Sequence, residues 1–457
     1  MITQTMVEEQ RNFAQEFNRL ADSERAEAFI KWYPNSLRIN DISETIYQFT
    51  GKKWEAIEKK AVGRLVRDFF HKKGVMQYSK RKLQNMIELL EYELEPMGKH
   101  NPDHLAFANG VLNKKTGEFY SHNEEYFLTS FIDIEYSEKT NPTPHFNKWL
   151  DWVSDSDPVK RERILAGLYM ILTNRYEWQL FIEITGVGGS GKSIFNFLAK
   201  MLSGEDNAAA ISLKELENPV IRCKLIDKTL FYSSDQEFYN GDGAELRAIT
   251  GGDTITFNPK YKPAFDAVIS AIFMMTNNKA IVFKENNGGI RRRRVIYHFD
   301  KTIPDEQLDP LLKDKLQSEA SSIVRLILDT FPEPMKANGL LKEQRQSMEA
   351  LEIKEETDHI LAFSKYFEAR ELADGLTIGN TKQTQSYRTA IYPAYLYYCD
   401  CLNIAKPLGR RSFLKAFEQA LKERGSKHPY KTRLKDGVNI TNIYFTNVVE
   451  ALSHWQG

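Results

Sequence analysis

Apolar residues recur along this chain with two periods, and the changes of period divide it. Phe13, Phe17, Leu20, Phe29 and Ile30 stand among charged residues at near-helical spacing, which predicts helix from the start to about Trp32. From Ile42 to Phe49 and over Trp54–Ile57, short apolar-rich runs flank Thr50-Gly51, predicting two strands joined by a glycine turn. Helical patterns cover Ala61–Phe70 and Lys80–Leu94. A second small sheet is predicted at His104–Leu112, Glu118–Tyr120 and Phe127–Ile134, with Asn109-Gly110 and Thr116-Gly117 where turns need positive φ.

Pro142 and Pro144 mark a boundary, and helical patterns at His145–Ser154 and Lys160–Thr173 follow. The run Gln179–Thr185 is short, apolar and followed by a glycine cluster, as a buried strand would be, and strands and helices then alternate to Phe299. A third apolar run, Ala267–Met275, predicts another strand. Beyond Asp300 the pattern turns helical. Leu340–Tyr366, charge-rich with little turn chemistry, predicts a connecting helix, and Gly375–Gln385 a linker. The last stretch holds Tyr392, Tyr395, Tyr397 and Tyr398, then a basic helix at Arg410–Arg424 and a hairpin near Asp436-Gly437. An aromatic cluster at helical spacing is read as core rather than as a base-stacking surface.

With 457 residues, 42% of them hydrophobic, the chain can fill several cores. Lys plus Arg and Asp plus Glu both number 62, so no overall cationic field holds it on nucleic acid, and any such site must be local. No apolar run approaches a membrane span, and the first residues are too polar for a secretory signal, so a cytoplasmic protein without a membrane partner is expected. Three cysteines give no disulfide framework, and neither they nor the nine histidines show zinc-ligand spacing.

Gly186-Val187-Gly188-Gly189-Ser190-Gly191-Lys192-Ser193 matches the P-loop pattern G-x-x-x-x-G-K-[ST], between a predicted strand and a helix carrying Ile194, Phe195, Leu198 and Met201. Gly186, Gly188, Gly189, Ser190 and Gly191 let backbone N–H groups face phosphates, Lys192 adds a charge and the Ser193 hydroxyl can ligate Mg²⁺, which points to ATP and Mg²⁺ as cofactors. One helix and one strand later, Leu230–Asp235 brings a carboxylate to a strand tip. Asp235 is the candidate metal-side acid and Glu237 the candidate water-orienting base, although spacing alone does not assign the two roles. Asn277, at the end of the third apolar run, is a candidate sensor of the γ-phosphate. Arg291–Arg294 precede the apolar Val295–Phe299; guanidinium groups there are costly unless they face phosphate, carboxylate or a neighbouring subunit.

Taken together, the P-loop, Leu230–Glu237, Leu246–Asp253 with Lys260-Tyr261-Lys262, Thr276-Asn277 and Gly289–Arg293 resemble the superfamily 3 helicase domain of phage, plasmid and poxvirus primase-helicases. The resemblance is densest from Gln179 to Asp300 and extends back through Asn109–Leu112 and Lys115–Glu118. It implies a ring, most often a hexamer, with a basic hairpin in the central channel, so Lys260 and Lys262 would contact DNA phosphates. Arg247 stands where the family usually has Lys, and the trans-acting arginine maps to Arg292 or Arg293. A departure is Asp235-Gln236-Glu237, where many relatives have two adjacent acids. Only about 100 residues precede the pre-helicase segment, too few for the primase domain of many relatives, so priming would fall to a separate primase or polymerase.

The C-terminal stretch, with Phe413, Phe417 and Leu421 on one helix face and basic residues elsewhere, resembles the winged-helix segment that ends many relatives, with Arg410 and Arg411 facing DNA. The expected fold is therefore an α/β P-loop, AAA+-like ATPase core with an α+β N-terminal region and a C-terminal winged-helix-like domain. The expected divisions are 1–100 accessory, 101–144 pre-helicase, 145–305 ATPase, 306–385 helical connector and 386–457 basic domain. The expected function is ATP-dependent DNA unwinding, 3′ to 5′, in replication of a mobile element. An ATP-dependent initiator or loader that does not unwind processively is the first alternative, and a P-loop protein acting on RNA or in antiviral defence the second.

Overall fold

A computed structural model of the chain describes residues 14–235, 239, 241–260, 262–284, 288–356, 358–381 and 384–456. The N-terminal module begins with helices α1 (14–19) and α2 (Asp22–Trp32). The antiparallel strands β1 (Leu37–Asn40), β2 (Thr45–Phe49) and β3 (Trp54–Ala56) follow, then helices α3 (Lys59–Lys72) and α4 (Lys80–Glu93). Val62, Val66, Phe69 and Phe70 lie on one face of α3 and meet Met86, Ile87 and Leu90 of α4 over Phe29, which gives the module its own core. The sequence reading missed β1, and residues 41–44 form a turn instead of a strand start.

A small antiparallel sheet follows, β4 (His104–Phe107), β5 (Gly110–Asn113) and β6 (Phe119–Tyr120). Helices α5 (Pro144–Val153) and α6 (Pro158–Leu172) each open with proline in the first turn, where its missing N–H costs nothing. The central layer then forms from β7 (Phe181–Gly186), α7 (Lys192–Ser203), β8 (Ala208–Ala210), α8 (Leu213–Leu216), β9 (Leu230–Ser234), α9 (Ala244–Gly251), the β10–β11 hairpin (Ile255–Phe257, Phe265–Ala267), β12 (Ile272–Asn277) and β13 (Arg294–Phe299). Five strands form one parallel sheet in the order β13-β7-β12-β9-β8. Every residue of β7 and of β12 is buried, as expected of parallel strands covered on both faces.

Ile182, Ile184, Met274, Val295 and Tyr297 face a core shared with α5, α6 and α7. Phe181, Phe231, Phe273 and Met275 face the other way, onto Leu246, Ile249, Ile255 and Phe257. The apolar run Ala267–Met275 is not one strand: its first residue closes the hairpin and the sheet strand starts at Ile272.

Helices α10 (Leu312–Ser318), α11 (Ala320–Thr330) and α12 (Pro334–Arg345) correspond to much of the stretch read as a connector. They bury Leu316, Ile323, Val324, Ile327 and Leu341 in the same core as α6 and the sheet residues Ile182, Met274 and Val295. The single helix expected over Leu340–Tyr366 is instead α12, α13 (Met348–Glu355) and α14 (His359–Ser364). Ser347 and Asp358 each cap a new N-terminus, Ser347 accepting from Ala350 N–H and Asp358 from the N–H groups of Ile360 and Leu361.

The C-terminal module contains β14 (Phe367–Ala369), α15 (Ile391–Cys401), α16 (Arg410–Glu423), the β15–β16 hairpin (Thr432–Lys435, Val438–Thr441), β17 (Ile443–Phe445) and α17 (Val448–Gln456). Tyr392, Tyr395 and Tyr398 are inside its core with Phe413 and Phe417. Gly375–Ile378, read as linker, is bound along the hairpin side: Gly375, Leu376 and Ile378 donate N–H groups to Thr441, Ile443 and Asn439.

Candidate functional site

The parallel register brings the C-terminal tips of β7, β12, β9 and β13 to one edge of the sheet, the place where open α/β sheets hold ligands. The loop from β7 to α7 lies there, and two of its glycines are sterically obligatory. Gly186 has φ +145, and a Cβ would stand 1.9 Å from the Phe299 carbonyl oxygen; Gly191, at φ +102 before the first turn of α7, would meet Val153 and Trp149. The segment after β13 braces the loop from outside: Ile303 N–H donates to Gly189 O (3.1 Å) and Thr302 Oγ1 to Gly188 O (3.3 Å).

Lys192 Nζ donates to Gly186 O (2.6 Å), Val187 O (2.7 Å) and Asn278 Oδ1 (3.2 Å). Burial lowers its pKa, and the Asp235 charge opposes that shift. Ser193 is exposed at the first turn of α7, where the helix N-terminus favours anions. Asp235, exposed at the tip of β9, takes φ +53 and donates its N–H to Thr276 O (2.8 Å), while Asn196 of α7 donates to the neighbouring Ser234 hydroxyl (2.9 Å). The β9 tip is thereby fixed beside both β12 and α7. Glu237 lies outside the described residues.

These residues fit a magnesium–nucleotide group. The loop has space only for backbone at Gly186 and Gly191, and the Ser190 hydroxyl, fully buried beside Lys192, has no hydrogen-bond partner among the described residues.

Asn277, the candidate γ-phosphate sensor, ends β12 beside β7. It shares a sheet face with Glu183, and its amide donates to the Glu183 carboxylate (3.0 Å). Glu183 is fully buried and also accepts from Ile281 N–H (3.0 Å) and from the Arg294 guanidinium. Such a charge is tolerated only when paired and hydrogen-bonded on this scale. The next residue, Asn278, is the one that reaches Lys192. A lone acid inside the apolar run Phe181–Thr185 was the available signal: it must recruit polar partners from adjacent strands.

The four arginines separate into four environments. Arg294 pairs with Glu183, and Arg293 is buried, donating to Gly289 O (3.0 Å). Arg291 pairs with Asp358 and approaches Glu423 at 3.7 Å. Arg292 alone presents an exposed side chain, at the end of the sheet opposite its own glycine-rich loop. Five steps along β13 separate the two ends by about 16 Å.

The predicted DNA contacts separate as well. Lys260 is exposed in the turn of the β10–β11 hairpin, and Arg247 is half-buried on α9. Lys262 is instead engaged with the N-terminal module, donating to Ser43 O (2.9 Å), Glu44 O (2.8 Å) and Thr45 Oγ1 (3.0 Å), and burial lowers its pKa. Nearby Tyr47 donates to Asp227 (2.5 Å), whose carboxyl is raised by burial. Sequence spacing gave no sign of this docking. Arg410 and Arg411 are exposed at the start of α16, Arg410 donating to Gly379 O (3.2 Å), and Lys431, Arg433 and Lys435 are exposed along the C-terminal hairpin.

Two family models match the chain. "D5 N terminal like" covers residues 26–155, and a family of unknown function, DUF5906, covers 184–294, the span that holds the loop, Asp235 and the arginines. The chain has the hallmarks of the phage and viral primase-helicases. It is 23% identical over 288 residues to an Acanthamoeba polyphaga mimivirus protein named "Putative helicase L207/L206". That match takes in 56% of this chain but 29% of the relative, so the chain spans under a third of the viral protein's length. Two apo structures of the NrS-1 C-terminal region share its fold at 12% identity and TM-score 0.53, covering 92% and 93% of this chain and 99% of each of theirs. No helix among the described residues is long and apolar enough to cross a membrane.

Proposed function

We propose that the chain is an ATP-driven DNA helicase that acts in replication of a phage, plasmid or other mobile element, as a ring, most simply a hexamer, with its ATP sites between neighbouring subunits. One observation carries this reading. The glycine-rich loop, Lys192, Ser193, Asp235 and Asn278 converge at one edge of the sheet, while the exposed Arg292 stands at the other, away from its own loop, as an arginine acting on a neighbour's site would.

When bound, Mg-ATP supplies the phosphoryl group that passes to water. The N–H groups of Gly188–Gly191 and the Lys192 ammonium would bind its phosphates, and Ser193 and Asp235 would hold the metal. Asn278, already on Lys192, orients that ammonium; Asp235 or Glu237 orients water, and Asn277 braces the β12 tip through Glu183. Arg292 completes the site next door, a contribution worth about 10³–10⁵ in turnover for arginine fingers generally. Lys260 grips one DNA strand through its phosphates, with Arg247 behind it, and movement runs 3′ to 5′. Helix α16 with Arg410 and Arg411, followed by the basic hairpin as a wing, makes the C-terminal module a winged-helix-like duplex contact. The protein works in the cytoplasm with a separate primase or polymerase.

The loader reading draws on Lys262, whose docking on the N-terminal module leaves Lys260 as the exposed lysine of the hairpin. Steady-state ATPase with and without single-stranded DNA or RNA separates the readings. The motor predicts strong stimulation by DNA, little by RNA, and none in Lys192→Ala. Hydrolysis indifferent to DNA would favour the loader.

A further inference from the structure

The loop carrying Arg292 is anchored in the core of the parallel sheet by Ile290, which packs with Leu246 and Ile249, and Arg291 and Arg292 are held by residues that come after the sheet. Arg345, at the end of α12, donates its guanidinium to the Arg292 carbonyl. Lys354 of α13 donates to the Arg345 carbonyl (3.2 Å) and to Glu423 Oε1 (2.7 Å). The other oxygen of Glu423, buried and without a hydrogen bond among the described residues, faces Arg291 at 3.7 Å, and Arg291 also pairs with Asp358, the cap of α14. One turn earlier on α16, Gln419 lies so close to Gly288 that a Cβ built there would be 2.7 Å from its amide nitrogen.

Glu423 closes the same helix whose opening turn presents Arg410 and Arg411 to solvent. Its side chain is 8% exposed and that of Lys354 is 5% exposed, so this is a desolvated pair in which an uncompensated charge is expensive. A displacement of α16 therefore has two routes to Arg292: through Arg291, its chain neighbour, and through Lys354 and Arg345 to its own carbonyl.

We infer that Glu423 is a positioning residue for Arg292, linking the candidate DNA-reading helix α16 of one subunit to the ATP site of the next. The inference rests on the trans-acting role proposed for Arg292. It assigns Glu423 no contact with nucleotide or DNA. Its function is to hold the arginine loop in the orientation that a neighbour's phosphates require, and to transmit the seating of α16 to that loop.

The test uses the full-length protein with forked DNA and measures ATP kcat and KM, DNA affinity and its salt dependence, for Glu423→Gln, Arg345→Ala, Arg292→Ala and the double variant Glu423→Gln/Arg292→Ala. Glu423→Gln is expected to lower DNA-stimulated kcat by about 10²-fold, the usual consequence of misplacing a catalytic group by about 1 Å. KM for ATP and the salt slope of DNA binding should stay at native values. The double variant should be no slower than Arg292→Ala alone, because groups acting as one unit lose activity non-additively. Arg345→Ala reaches Arg292 without touching the buried carboxylate, so it should show the same kcat loss even if Glu423→Gln does not fold. Additive losses, or native turnover in Arg345→Ala, would overturn the relay. Native turnover in Arg292→Ala alone would remove the finger assignment and the relay with it, an outcome distinct from a failure of the relay by itself.

Discussion

Replacing Lys262 by Ala separates a structural lysine from a DNA-gripping one. The Lys262 ammonium donates to two carbonyls and a hydroxyl of the turn at Ser43–Thr45, tying the hairpin turn to the N-terminal module. Hydrogen bonds from a charged donor contribute roughly 1.5–3 kcal/mol each in favourable cases. Here the head is only half-buried and water can replace part of the set, so the net loss is about 2 kcal/mol rather than the sum. That is a thirtyfold rise in local opening, readable by amide hydrogen exchange over residues 41–47 and 258–264 at about 1.4 kcal/mol per decade. DNA binding followed by fluorescence anisotropy across salt concentrations is the second readout. Lys260→Ala should reduce the logarithmic salt slope by about one, as expected for one phosphate contact, and leave exchange unchanged. Lys262→Ala should do the reverse. A slope reduced by about one in Lys262→Ala with native exchange would refute the docking argument and restore Lys262 to the DNA surface.

Asp227, raised by burial, binds its proton more tightly folded than unfolded, so its favourable contribution is complete below the ordinary carboxylate pKa of about 3.9 and is lost as pH rises through the raised value. Asp227→Asn, which can still accept from Tyr47, should lose less thermal stability between acid and neutral pH than the native protein; identical pH profiles would contradict this. Gly191→Ala forces a side chain into φ +102 against Val153, at a cost of about 1–3 kcal/mol, and should abolish nucleotide binding measured by calorimetry while far-ultraviolet circular dichroism stays native. Arg292→Ala and Lys192→Ala should each retain only a small fraction of native turnover alone, yet their mixture should regain ATPase, since a subunit of the first supplies an intact loop and one of the second an intact arginine; a mixture no faster than its parts would exclude a shared site.

The glycine-rich loop, the apolar face of α7 and the buried strands were legible because each is local: a motif of eight residues, a 3.6-residue period and short apolar runs ending in polar tips. The arginine run was legible only as a cluster. Its partners Glu183, Asp358 and Glu423 are remote in sequence, and that assortment leaves Arg292 exposed while Arg291, Arg293 and Arg294 are engaged. That Asn277 meets Glu183 while Asn278 reaches Lys192 depends on the register between strands far apart in the chain. Ser347 and Asp358, by contrast, are capping residues visible in the sequence, set within a charge-rich helical pattern that does not itself mark a break.

The most direct test of the central claim is ATP-dependent displacement of a labelled strand from a forked DNA duplex by the native protein, Lys192→Ala and Lys260→Ala. The account predicts displacement by the native protein alone, with Lys260→Ala still binding ATP but failing to move the strand. ATP hydrolysis by an assembled oligomer without any displacement would contradict it.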